Sequence, residues 1–262
     1  MIELVVEHTV LFIIALASNL LSALAGGGAG LVQLPALLFL GLPFPMALVT
    51  HKIASVALGV GATTKHLRAG SIDWRFSLFI LAAGLPGVVI GATSILHLPE
   101  TLSKIALGIL TIGLGLYSVF SKKLGQESNP IHRNITGYAI GGLMIFFIGA
   151  INGSLTSGTG LFVTLWLIRW FGLDYKQAVA YTLILVGLFW NGTGALTLSL
   201  LTQPRWDWLP ALIAGSMIGG YWGAHLSTIK GNPMIKRVFE TVTIAVGLSL
   251  IAQTLIPQTV TT

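Results

Sequence analysis

The sequence predicts an all-α polytopic membrane protein made of two inverted repeats, each of about five membrane elements with a glycine-broken short helix, or about eight full spans plus two short segments. Three observations lead there. Only 8% of the 262 residues are charged, where soluble domains carry about 25%, and mean hydropathy is +0.88. No charged side chain occurs from Thr9 to Thr50 or from Asn134 to Ile168; one crossing takes about 20 apolar residues, so these runs alone require several. Finally, a glycine-rich stretch occurs twice inside apolar segments, from Ser22 to Gly30 and from Asn152 to Gly160. Glycine costs roughly 1 kcal/mol against alanine in a helix interior, so such clusters at membrane depth predict breaks. Broken backbone is tolerated in a bilayer only where protein or a water-filled cavity satisfies it.

The first span is expected over about Thr9 to Ala25, preceded by Glu3 and Glu7 without a basic flank, which reads as a membrane helix rather than a cleaved signal peptide. Residues Leu31 to Leu42 leave room for only a short helix. Pro43 and Pro45 then start a third helix carrying Thr50, His51 and Lys52 and reaching about Thr64. A basic loop, Lys65 to Arg68 with Arg75, leads to two ordinary spans, Phe76 to Leu96 and Leu102 to Phe120, joined at His97-Leu98-Pro99-Glu100. Residues 121–134 form the one polar linker, in which Lys122 and Lys123 read as solvated. The pattern then restarts: an apolar run over 135–151, the second break, a short run to Phe171, a long helix from Tyr175 to Leu200, and spans from Trp208 to Ser227 and Pro233 to Ile256.

Five landmarks recur in one order at a nearly constant offset. Gly28-Ala29-Gly30 matches Gly158-Thr159-Gly160, and Gly41-Leu42 matches Gly172-Leu173. Asp73-Trp74 matches Asp207-Trp208, Gly91-Ala92 matches Gly223-Ala224, and Lys104 matches Lys236. This predicts an internal duplication, residues 8–120 and 135–256. Five elements per half put the N-terminus outside and Lys65, Arg68, Arg75, Lys122, Lys123, Arg133, Arg169, Lys176, Lys230, Lys236 and Arg237 inside, as the positive-inside rule favours. Trp74, Trp206 and Trp208 read as interfacial anchors, and Asp73 and Asp207 as helix N-caps.

A helix restarting after each break directs backbone N–H groups and a positive dipole end at it, which suits an anion. The candidate binding residues are Gly26, Gly27, Gly28 and Gly30 with Ser22 and Gln33 in the first half. In the second they are Asn152, Ser154, Ser157, Gly158, Thr159 and Gly160. The alternative is that the glycines only let helices pack closely. Lys52 stands within an apolar helix with no acidic neighbour in sequence, opposite a neutral repeat position near Leu183; it either serves the site or snorkels to the interface. His51 joins as a group that titrates near neutral pH or caps a polar cavity. Asn191 lines the site or bridges helices.

These residues resemble the sulfite exporter TauE/SafE family of membrane permeases. The resemblance lies in Leu24-Ala25-Gly26-Gly27-Gly28-Ala29-Gly30, in Pro35-Ala36-Leu37, and in Ala47-Leu48-Val49-Thr50. It continues in the Lys65 to Arg68 loop, Ala69-Gly70-Ser71-Ile72-Asp73-Trp74, and Ala82-Ala83-Gly84-Leu85-Pro86-Gly87 through Ala92. It implies transport of sulfite, sulfonates or similar anions across a prokaryotic inner membrane. The second half departs from the glycine-only pattern with Ser157-Gly158-Thr159-Gly160, where hydroxyls alter what a ligand meets. The expected function is a secondary transporter of a small anion, with the lipid bilayer and that anion as its partners. An anion channel or a carrier of a non-sulfur organic anion are the other readings. No cofactor, metal or nucleic-acid partner is expected: there is no cysteine, no His-Glu-x-x-His or Gly-x-Ser-x-Gly motif, and the basic residues sit in short loops.

Overall fold

The computed structural model describes residues 2–66, 72–94, 100–156 and 158–255, and these form no strand. Arg68, the stretch Ala69-Gly70-Ser71, the turn residues His97, Leu98 and Pro99, and Ser157 lie outside the described residues. Helix α1 spans Ile2–Ala25, earlier than the apolar run alone suggested, with Glu3 in its first turn against the positive dipole end. It stops where Gly26, Gly27 and Gly28 take φ of 83°, 133° and 103°, conformations that side-chain-bearing residues rarely adopt. One 3₁₀ turn, Ala29–Leu31, precedes the seven-residue α2, Gln33–Phe39.

Helix α3 (Phe44–His66) begins beside Pro43 with Pro45 in its first turn, where a missing N–H is harmless. The Asp73 carboxylate accepts the Arg75 N–H at 2.9 Å and caps α4 (Trp74–Ser94), which is followed by α5 (Glu100–Phe120). Asn134 caps α6 (Ile135–Ser154) by accepting from the Gly137 N–H. After the second break come α7 (Thr159–Phe171), closed by Gly172 at φ 70°, and α8 (Tyr175–Tyr181), capped by Asp174. The long helix expected from Tyr175 is not uniform. It becomes a π-helix over Thr182–Trp190 and returns to α geometry as α9, Asn191–Ser199. Helix α10 covers Leu209–Leu255 and turns at Gly231 (φ 75°, ψ 173°), two residues before Pro233.

Among the described residues, five helical stretches are long and apolar enough to cross a membrane: Ile2–Ala25, Phe44–His66, Trp74–Ser94, Ile135–Ser154 and Tyr175–Ser199; Ala29–Phe39, Thr111–Phe120 and Thr159–Phe171 are shorter apolar ones. Three expectations change. Trp208 is 3% exposed and lies against the Arg205 guanidinium, so it is core, whereas Trp74 and Trp206 are exposed. The Asp207 carboxylate pairs with Arg205 at 2.9 Å instead of capping α10. Lys236 is buried: it pairs with Glu240 and donates to the carbonyl and hydroxyl of Ser118, so it is not a solvated loop charge.

Helices from before residue 121 pack against helices from after residue 134. Helix α1 lies on the first arm of α10, where Gly215, Gly219 and Gly223 sit on the backbone of Phe12, Leu16 and Leu20. In the same way α6 lies on α4, with Gly87 and Gly91 on Phe146 and Ala150, and Gly149 and Gly153 on Gly84 and Val88. Helix α5 packs on the second arm of α10 through Gly115 and Gly247, and α3 packs on the π-helix through Gly59 and Gly187. Small residues every fourth position let helix backbones meet, which is how helices gain contact in lipid without a hydrophobic driving force. A large core runs between α7, α8 and the π-helix, around Phe171, Tyr175 and Trp190.

Candidate functional site

The two glycine breaks meet at the centre of the protein. A Cβ built on Gly27 would stand 2.5 Å from Gly160 Cα, and one on Gly160 would stand 2.8 Å from Gly27 Cα. Thr164 of α7 ties the contact by donating to the Gly26 carbonyl at 2.6 Å, and its hydroxyl also meets that of Thr182 at 2.9 Å. Beside this contact is a cavity of about 30 Å³, above the roughly 10–15 Å³ that one water molecule needs. One wall is main chain and small side chains from the breaks: Ser22, Gly27, Gly28, Gly30, Thr159 and Gly160. The other is side chains of α3 and the π-helix, among them His51, Ser55, Thr182 and Asn191.

The helix geometry sets which residues reach this cavity. From α3 come His51, Ser55 and Leu58, spaced four and three as one face of an α-helix requires. From the opposite strand of chain come Thr182, Leu183, Val186, Gly187 and Asn191. Nine residues in an α-helix turn by about 900°, which would aim Asn191 away from Thr182. A π-helix closes i→i+5 bonds and turns less per residue, so both stay on one face. The π segment therefore delivers Asn191 to the cavity.

Lys52 is 0% exposed yet does not line the cavity. Its ammonium donates to the Asn152 carbonyl at 2.8 Å and to Asn152 Oδ1 at 3.3 Å, and no carboxylate lies within ion-pair distance among the described residues. It sits on the last turn of α6, the negative end of that helix dipole. Asn152 in turn donates to Thr159 Oγ1 at 2.8 Å, and Thr159 donates to the Thr156 carbonyl at 2.8 Å. Lys52 thus holds Asn152, and Asn152 holds the first residue of α7. The α1 terminus is closed as well, since the Gly26 and Gly27 N–H groups donate to the Ser22 carbonyl at 2.9 and 2.8 Å. With both carbonyl ends occupied, the polarity left at the cavity is that of the α7 N-terminal turn and its hydroxyls and amides.

Two polar atoms on the cavity wall, Ser22 Oγ and Asn191 Oδ1, are buried without a partner. A buried polar group left unpaired costs about 1–3 kcal/mol, so these atoms mark room for a ligand or water. Turning the Asn191 amide over presents its N–H₂ in the same volume. The remaining candidates lie off the cavity. Gly26 faces Thr164, and Gly158 caps α7 beside Leu31. Ser154 bonds back to Ala150 and Ile151, and Gln33 accepts from Asn19 in a separate cluster with Ser216. Ser157 lies outside the described residues.

Ser55 and Thr182 line the cavity without having been singled out from sequence. A signal for both was present: Ser55 is one helical turn from His51, and Thr182 lies 131 residues after His51, the offset at which the sequence landmarks recur.

The family model for "Sulfite exporter TauE/SafE" matches residues 11–250. A "Probable membrane transporter protein" of Haemophilus influenzae is 30% identical over 87% of this chain and 88% of its own length. The "Probable membrane transporter protein YfcA" of Escherichia coli is 25% identical over 92% and 88%, and YunE of Bacillus subtilis 23% over 94% and 97%. No solved structure gives a significant match.

Proposed function

The chain belongs to the sulfite exporter TauE/SafE family of membrane transporters, and from that premise we propose that it is a secondary carrier for a small sulfur-containing anion. Sulfite or a sulfonate binds between the two glycine breaks, and the two repeats rock about it to give alternating access. The observation that carries this reading is the cavity where the breaks meet. Its lining comes in repeat-related pairs: Ser22 with Asn152, Gly30 with Gly160, His51 with Thr182, and Ser55 with Val186. A ligand site on the pseudo-symmetry element is the arrangement that inverted-repeat carriers use. The exchanged packing, α1 on α10 and α6 on α4, supports the inverted repeat with its halves at 8–120 and 135–256.

Within this reading the anion accepts from Ser22, Thr182 and Asn191 and is drawn to the positive end of the α7 dipole. Lys52 acts one residue removed, neutralising the carbonyl end of α6 so that the field at the cavity favours negative charge. The cavity must open to admit a multi-atom oxyanion, which distinguishes a carrier from a pore. In the cell the protein sits in the inner membrane with the N-terminus outside and the 121–134 linker in the cytoplasm.

A thermal-shift screen with sulfite, thiosulfate, taurine, sulfoacetate, sulfate and simple carboxylates tests the assignment. A ligand at 100 times its Kd stabilises by about 2.7 kcal/mol. No response to any sulfur anion, with a response to carboxylates, would replace the substrate class. Flux in proteoliposomes at channel rates would replace the carrier.

A further inference from the structure

A second recess lies away from the central cavity, at the linker ends of α5 and α7, with a volume of about 610 Å³. Tyr117 and Phe120 of the last α5 turn form one lip, and Lys122, Lys123 and Glu127 of the linker and Arg169 of the last α7 turn supply its charge. The linker here is a fixed wall. The Asn129 N–H donates to the Gly172 carbonyl at 2.8 Å, Ile131 N–H to the Phe171 carbonyl at 3.2 Å, and Tyr175 N–H to the Gly125 carbonyl at 2.8 Å. Lys122, Lys123 and Arg169 have no carboxylate within ion-pair distance among the described residues. Three unpaired cations against one carboxylate leave the recess electropositive.

Its position says what it meets. Helix α5 is uncharged from Ile105 to Phe120, and α7 carries its charge, Arg169, in its last turn, so the recess opens where apolar surface gives way to the charges of the linker. Phe120 there is 82% exposed and Tyr117 partly exposed, as expected of aromatic side chains at the headgroup level. Basic pockets between membrane helices at this depth take anionic headgroups, and the volume falls within the range of about 300–1,000 Å³ usual for ligand sites.

We propose that this recess binds the phosphodiester headgroup of an anionic phospholipid. Arg169 and the two lysines hold the phosphate oxygens, and Tyr117 and Phe120 face the glycerol and upper acyl chain. A free phosphate would use the cations and leave the aromatic lip empty. The inference is independent of the transported substrate.

Native mass spectrometry of the full chain from phosphatidylcholine nanodiscs doped with phosphatidylglycerol or cardiolipin tests it. The wild type is expected to retain an anionic lipid at least tenfold over phosphatidylcholine. Each interfacial cation adds roughly fivefold to binding, so Lys122→Gln/Lys123→Gln/Arg169→Gln is expected to lose on the order of a hundredfold. Glu127→Gln removes the opposing charge and is expected to raise retention several-fold, a readout that survives even if the triple variant misfolds. Lys65→Gln/Lys230→Gln, which changes cations elsewhere, leaves retention unchanged. Wild-type retention by the triple variant, no gain in Glu127→Gln, or no preference for anionic lipid overturns the proposal. Displacement of the lipid by equimolar inorganic phosphate assigns the recess to soluble anions and overturns it too.

Discussion

Adding one methyl group at each of four glycines separates the two reasons that the breaks need glycine. Gly27 combines φ 133° with a Cβ position 2.5 Å from Gly160 Cα and 2.8 Å from the Leu161 nitrogen, all backbone that cannot swing away. Gly160 has the close contact, 2.8 Å to Gly27 Cα, without the positive φ. Gly41 has φ 93° and nothing within 4 Å, and Gly113 has neither constraint. Strained backbone costs about 1–3 kcal/mol and overpacking about 1–3 kcal/mol. Gly27→Ala should therefore lose about 2–6 kcal/mol, Gly41→Ala about 1–3 kcal/mol, and Gly160→Ala about 0–2 kcal/mol after helix propensity returns part of the loss. Gly113→Ala should be unchanged or gain up to about 1 kcal/mol. Equilibrium unfolding in detergent measures all four. A Gly27→Ala protein as stable as Gly41→Ala would refute the backbone contact between the breaks.

Four further outcomes follow from the site. Lys52→Met removes a buried charge together with its bonds to Asn152; the two effects oppose, so stability should change by under about 3 kcal/mol. A unit charge roughly 6 Å from the ligand at an effective dielectric of about 20 is worth about 2.8 kcal/mol, so anion affinity should fall on the order of a hundredfold in a proteoliposome uptake assay; wild-type uptake would reduce Lys52 to a helix cap. Ser22→Ala deletes an unpartnered buried hydroxyl and should raise the unfolding free energy by about 1 kcal/mol while weakening substrate binding, read by thermal shift with and without anion. Asn191→Leu should do the same, and unchanged substrate affinity in both would empty the cavity of function. Thr164→Val cuts the bond to Gly26 and should cost about 1–2 kcal/mol in the same unfolding measurement.

Much of this arrangement is legible in the sequence because glycine and charge are scarce signals in an apolar chain. The stops after Ala25 and Ser154, the short helices that follow, and the Asp73 cap all read from residue type. The π-helix does not: Thr182 to Trp190 is apolar on every side, so no periodicity reports whether it turns by 3.6 residues or more. The burial of Trp208 and Lys236 is also hidden, since Trp208 packs in a cluster with Leu11 and Leu48 from the start of the chain, and Lys236 bonds Ser118 of α5. Lys52 is half legible. Its isolation in an apolar helix announces a buried charge, but its acceptor, the carbonyl of Asn152, is a main-chain atom that no residue type betrays.

The main-chain wall of the cavity divides what evolution can retune. Where Gly27 and Gly160 touch, an added Cβ would stand 2.5 to 2.8 Å from backbone, so that half of the site presents main-chain amides in place of side chains. In the proposed carrier, discrimination between one anion and another falls to the facing wall, at His51, Ser55 and Asn191, where a substitution changes the polar groups and leaves the glycine crossing in place. Transport proteins built on this plan would keep a constant anvil and exchange the die.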